Sequence, residues 1–208
     1  MAYPVVDAPY GFQPINRVDG LPYAGAVRQI PIASTYNTAI YNGDIVRIAA
    51  GGTIQKSTVT VDSTTAAANN TVGVFVGCQY VNSQGQTVQA QYYPGNAATS
   101  NALAFVVDDP MAAFKVAVTL SNGAMSNVTT DIIGTNIQVS QGSGSNTTGD
   151  SGVSVVAANG VGSAAALPLR VISVVPETAV NATAFTEVVV KFNNHQYDTP
   201  GEAFNYTV

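Results

Sequence analysis

From residue 39 onward, turn signals interrupt the chain so often that no run between them holds a helix longer than one or two turns. The runs themselves are β-branched, aromatic or period-two in pattern. Ile45-Val46-Arg47-Ile48 follows the turn Asn42-Gly43-Asp44, Gly51-Gly52 makes a hairpin, and Thr53–Val61 returns. Thr71–Val81 (TVGVFVGCQYV) is the strongest core strand, almost continuously apolar. Thr87–Tyr93, Ala102–Val107, Phe114–Leu120, Leu167–Val175 and Glu187–Phe192 read as further strands, with shorter ones over Asp131–Val139 and Val153–Ala157. The pattern predicts an all-β fold, a sandwich or barrel of about eight to ten short strands. Asp109-Pro110 also fits the start of a single helical turn before β-branched residues resume at Val116.

Residues 1–38 differ. Pro4, Pro9, Pro14, Pro22 and Pro31 remove backbone donors, which argues against a helix or a central strand. Tyr3, Tyr10, Phe12 and Tyr23 lie between them, and such rings are costly to leave in water. The segment reads as an extended arm, anchored by those four residues either on the chain's own β domain or on a neighbouring subunit. The β domain then spans 39–192, with a Gly/Ser/Asn-rich elaboration at about 121–165 facing the surface. Within it, Gln141–Gly152 has the composition of a flexible loop. Residues 193–208 read as a polar, extended C-terminal tail.

Composition narrows function. Charged residues make up 9% of the 208, against roughly a quarter in an ordinary domain. A surface of Thr, Ser, Asn and Gln suits a protein packed against copies or partners, or a low-charge secreted protein. Seven Lys and Arg are spread singly under a net charge of −5, so nucleic-acid binding lacks its electrostatic footprint. The apolar runs fall short of the roughly 20 residues of a membrane helix, and no cationic leader precedes an apolar run. The expectation is a soluble protein made in a cytoplasm. The lone cysteine, Cys78, sits in the core strand and reads as buried.

The candidate chemistry is sparse. His195 is the only histidine, with neither a nucleophile elbow nor a second ligand to serve. Asp108-Asp109 before Pro110 fits a turn cap better than an acid–base pair. Gly51-Gly52 and Gly142-Ser143-Gly144 lack the Lys and the helix of a phosphate loop. Tyr80, Tyr92 and Tyr93 fall on adjacent strands, as a packed cluster or a sugar-reading surface would. No catalytic residue, metal site or cofactor is expected.

Three blocks carry a resemblance. Asn42-Gly-Asp-Ile-Val-Arg-Ile, then Gly52-Thr-Ile and Val72-Gly-Val-Phe-Val-Gly-Cys-Gln-Tyr, resembles the β-domain pattern of capsid decoration (cement) proteins of tailed bacteriophages. Gln91-Tyr-Tyr-Pro-Gly with Ala104–Val116, and Leu167–Val175 with Val188–Tyr197, resemble structural proteins encoded beside the major capsid gene in phages of marine and freshwater bacteria, as does Tyr10-Gly-Phe-Gln-Pro-Ile. The resemblance implies a non-enzymatic virion protein on the capsid outer surface. It would partner the major capsid protein and itself, as a homotrimer, with no nucleic acid or membrane. A tail or head–tail connector protein and a carbohydrate-binding β module are the competing expectations.

Overall fold

The computed structural model describes residues 8–58, 71–95, 100–124, 126–162, 167–179 and 185–198. Within them lie twelve strands and two 3-10 turns, Ala50–Gly52 and Thr130–Ile132. In chain order the strands are β1 Gln13–Arg17, β2 Arg28–Pro31, β3 Ile45–Ala49, β4 Thr53–Lys56, β5 Gly73–Val81 and β6 Thr87–Ala90, followed by β7 Ser100–Val107, β8 Ala112–Thr119, β9 Asn136–Ser140, β10 Ser154–Gly162, β11 Leu169–Val174 and β12 Glu187–Phe192. The class is all-β, as the pattern requires.

The first sheet runs β1-β8-β10-β9-β11-β12, and β12 returns to pair with β8, so the strands from β8 to β12 form a ring. One edge of β8 is shared: β1 takes Ala112–Lys115 and β10, running parallel, takes Val118 and Thr119. The second sheet runs β2-β7-β5-β3-β4, with β6 on the same edge of β5 as β3. A bridge from Ile32 to Ile54 brings the chain after β2 against β4, so this sheet also curls toward closure.

Two apolar cores result, and neighbouring residues of single strands feed both. Ile45, Val74 and Val107 face the larger core with Phe114, Val155, Val190 and Phe192. Val46, Phe75 and Val106 face the smaller one with Ile40, Ile54, Cys78 and Tyr93. Successive side chains of a strand point to opposite faces, so a strand between two cores must be apolar at both parities. This explains the almost unbroken apolarity of Thr71–Val81.

The structure corrects three sequence expectations. The segment 121–165 is not a surface elaboration: β9 and β10 belong to the ring, and Ile137, Val139 and Val155 are fully buried. The two short strands read there are present as β9 and β10, but they lie in the ring and not on the surface. Gln141–Gly152 is held rather than loose: Asp150 bridges Asn42, Gly149 N donates to Ser145 O at 2.8 Å, and Tyr41 Oη donates to Asn146 Oδ1 at 2.7 Å. The backbones of Gly142 and Gly152 approach so closely that a Cβ on either would overlap the other's segment. At Asp108–Pro110 there is a turn and no helix, with Met111 N donating to Asp109 Oδ1 at 2.8 Å.

Of the two resting places open to the proline–aromatic segment, its described residues take the chain's own domain. β1 and β2 are strands of it, and they lift the count above the expected eight to ten. Phe12 is 1% exposed, stacks on Phe192 at 6.2 Å and meets Phe114 edge-on at 6.3 Å. Truncating a core ring costs about 3–5 kcal/mol, so Phe12→Ala should lower unfolding stability by that amount in a denaturant titration. Leu21→Ala, in the same segment but 57% exposed, should change it by no more than about 0.5 kcal/mol.

Candidate functional site

The four sequence-chosen anchors do not form one surface. Tyr3 lies outside the described residues. Phe12 is spent in the core. The Tyr10 hydroxyl donates to Glu187, whose Oε1 also takes Lys115 Nζ at 3.1 Å, while that ammonium sits 5.6 Å over the Tyr10 ring. Burial raises the Tyr10 phenol above its ordinary pKa, and the Glu187 carboxylate raises it further. Tyr10 thus closes over a half-buried Lys115–Glu187 pair instead of reaching outward. Tyr23 packs at the edge of the larger core and donates to Ala26 O at 3.1 Å.

What the segment leaves outside is aliphatic. Ile15, Val18, Leu21, Val27 and Met111 are 41%, 40%, 57%, 48% and 37% exposed, five of the seven large apolar side chains exposed among the described residues. Local structure brings Val18, Leu21 and Met111 together beside the bulge at Ile15. Ile15 is the bulged residue between the paired Pro14 and Asn16. Arg17 N donates to Leu21 O at 3.2 Å, closing a turn, and Val18 N donates to Met111 O at 2.8 Å. Isolated exposed apolar side chains are ordinary, but a grouped set marks an interaction surface. Its rim charges are already matched: Arg17 to Asp19 at 2.7 Å and Asp109 at 3.0 Å, Arg28 to Asp108 at 2.8 Å. With its cations already paired, the rim offers no free positive charge to a partner.

Sequence reasoning missed this ridge because it ranked aromatic rings as the anchors. The available signal was Val18 and Leu21 flanking Asp19-Gly20, a turn whose tip points side chains outward.

A second constellation is buried. Asp44 is 0% exposed and its carboxylate takes Ser151 Oγ–H at 2.6 Å, Tyr41 N–H at 2.9 Å and Lys56 Nζ at 3.0 Å. Ser151 Oγ in turn accepts from Val153 N at 3.0 Å. Every partner comes from a different segment, so the cluster ties β3, β4 and the approach to β10. It can fix geometry, and its ionised groups are occupied in doing so.

The remaining candidates serve packing. Tyr93 is buried, stacked on Tyr36 at 6.4 Å and edge-on to Tyr80 at 6.5 Å, while Tyr92 stacks on Tyr41 at 5.6 Å. Cys78 is buried, and desolvation pushes its thiol pKa up to about 12. His195 is 2% exposed, not on an extended tail but in a turn packed on the start of β5. Asp108 and Asp109 hold the ridge arginines. Among the described residues no group of three His, Cys, Asp or Glu side chains is placed to hold a metal ion, and no helix is long and apolar enough to cross a membrane.

Comparison with protein-family models, curated proteins and solved structures gives no match.

Removing one partner of a buried ion pair strands the other charge, at a cost of about 3–5 kcal/mol. Asp44→Ala should therefore lower stability by about that much in chemical denaturation. Lys56→Met keeps the apolar stem but leaves the fully buried Asp44 carboxylate without its counter-charge, so it should lower stability by a comparable amount.

Proposed function

We propose that this chain is a non-enzymatic structural protein of a virus particle. It binds the outer surface of a tailed-phage capsid as a homotrimer and stabilises contacts between adjacent major capsid subunits. The observation that carries the reading is the aliphatic ridge whose rim charges are held in ion pairs, on a chain only 9% charged. The sequence blocks resembling decoration proteins support the choice of particle. The two-core body supports a clamping role, because a surface held on paired strands keeps its shape when neighbours pull on it. Each ridge side chain contributes roughly 1.5–3 kcal/mol when fully buried, which is modest for one copy. Repetition over a lattice makes modest contacts sufficient. The acidic and basic groups at Asp44, Glu187, Lys56 and Lys115 are engaged in structural pairs, in keeping with a scaffold.

The test is co-sedimentation of the purified protein with capsids of the same virus that lack it. Wild-type protein should pellet with the particles, and the Val18→Asp/Leu21→Asp double variant should bind at least tenfold more weakly with its melting temperature nearly unchanged. Failure of the wild type to bind, or equal binding by the variant, would contradict the reading. Mass photometry of the free protein should show the trimer, and a stable monomer at micromolar concentration would exclude that stoichiometry.

A further inference from the structure

After β12 the chain leaves the first sheet and crosses to the second. Thr71 N donates to Asn194 O at 3.2 Å, and Gln196 N donates to Thr71 O at 2.7 Å. The Gln196 side chain then copies a strand partner: Ile48 N donates to its Oε1 at 2.7 Å and its Nε2 donates to Ile48 O at 3.4 Å. This happens where β3 has run past its neighbour, because β5 pairs only with Ile45 and Val46. The Arg28 guanidinium lies 5.2 Å over the Tyr197 ring, adding a hold on β2. Residues 193–198 therefore clasp the last strand of one sheet to three elements of the other.

His195 is at the centre of the clasp, with Phe192 and Tyr197 rings at 6.5 and 5.6 Å. Its Nδ1 accepts the Tyr197 N–H at 3.2 Å, and its ring also engages the backbone at Val72. A nitrogen that accepts a hydrogen bond carries no proton, so the turn favours the neutral ring. Protonation at Nδ1 sets donor against donor and forces the Tyr197 amide away. The charges facing the ring are Asp108, Asp198 and Asp109, which favour the cation. Arg28, stacked on Tyr197, opposes it and is already paired with Asp108. Burial is the largest influence and keeps the ring's pKa below its ordinary value.

We propose that residues 193–198 form an acid-released clasp, closed around neutral His195 and opened when Nδ1 takes a proton, with both cores remaining folded. The sign follows from linkage. The open ring titrates near an ordinary 6.5 and the closed ring lower, so the open state binds more protons between the two values. The clasp is fully closed above about 6.5, weakens as pH falls, and stops weakening below the closed-state pKa. The chain has one histidine, the side chain whose ordinary pKa lies at this window, so following its ring by NMR assigns the transition.

The test is hydrogen exchange of the full chain at a series of pH values from 7 to 5, corrected for intrinsic rates, with the His195 ring followed by NMR on the same protein. Amides of Ile48, Thr71 and Gln196 should lose at least tenfold in protection at pH 5 while those of Val106 and Val190 keep theirs. The opening midpoint should coincide with the ring's titration midpoint. His195→Gln, which cannot take the proton, should show equal protection at pH 7 and pH 5. If that variant does not seat the turn at pH 7, the coincidence of the two wild-type midpoints decides. Unchanged wild-type protection, loss spread over both cores at once, or a ring that titrates while the clasp stays closed would each overturn the proposal.

Discussion

The fold depends on the buried carboxylate of Asp44 and the glycine before it. Gly43 N donates to Phe75 O at 2.8 Å, Phe75 N to Asp44 O at 2.9 Å, and Phe12 N to Gly43 O at 3.0 Å. Ser151 N donates to Asn42 O at 2.9 Å, so the approach to β10 arrives at the same point. Gly43 has φ +90° and a Cβ there would stand 2.9 Å from Phe12 N, so both its conformation and its neighbours require glycine. The backbone crossing brings a carboxylate into the interior, and three donors offset its desolvation.

From this junction the two cores follow. β3, β5 and β7 pass between them and alternate, one side chain to each, so neither core is a separable unit with its own polar exterior. The N-terminal segment completes the larger core through Phe12, and the turn after β12 completes the seam from the other end. What remains for outside contact is what these demands leave over: the aliphatic residues of the 15–27 turn and Met111.

The strands after residue 45 were legible because their apolar parity and turn residues agree, as at Gly51-Gly52. The segment 13–31 was not, because its prolines argue against central strands. They are tolerated since Pro14 lies on the edge strand β1 and Pro31 ends β2. Gln141–Gly152 has linker composition, yet Gly142 and Gly152 are needed for close backbone approach. Sequence alone does not distinguish glycine used for contact from glycine used for freedom. The turn Asn42-Gly43-Asp44 was visible as a turn, but its role was not, since Lys56 and Ser151 reach Asp44 only through the tertiary fold. The aromatic anchors were found, and their direction, inward, is set by partners distant in the chain such as Glu187 and Phe192.

The central claim is that a shared junction makes two cores one cooperative unit. Native-state hydrogen exchange across a denaturant series at pH 7 tests it most directly. The amides of Val106, in the sheet around the smaller core, and Val190, in the ring around the larger, should converge on one opening free energy with one denaturant slope. If the Val106 amide opened at a distinctly lower free energy with its own smaller slope, the cores would be independent and the account of the junction would be wrong.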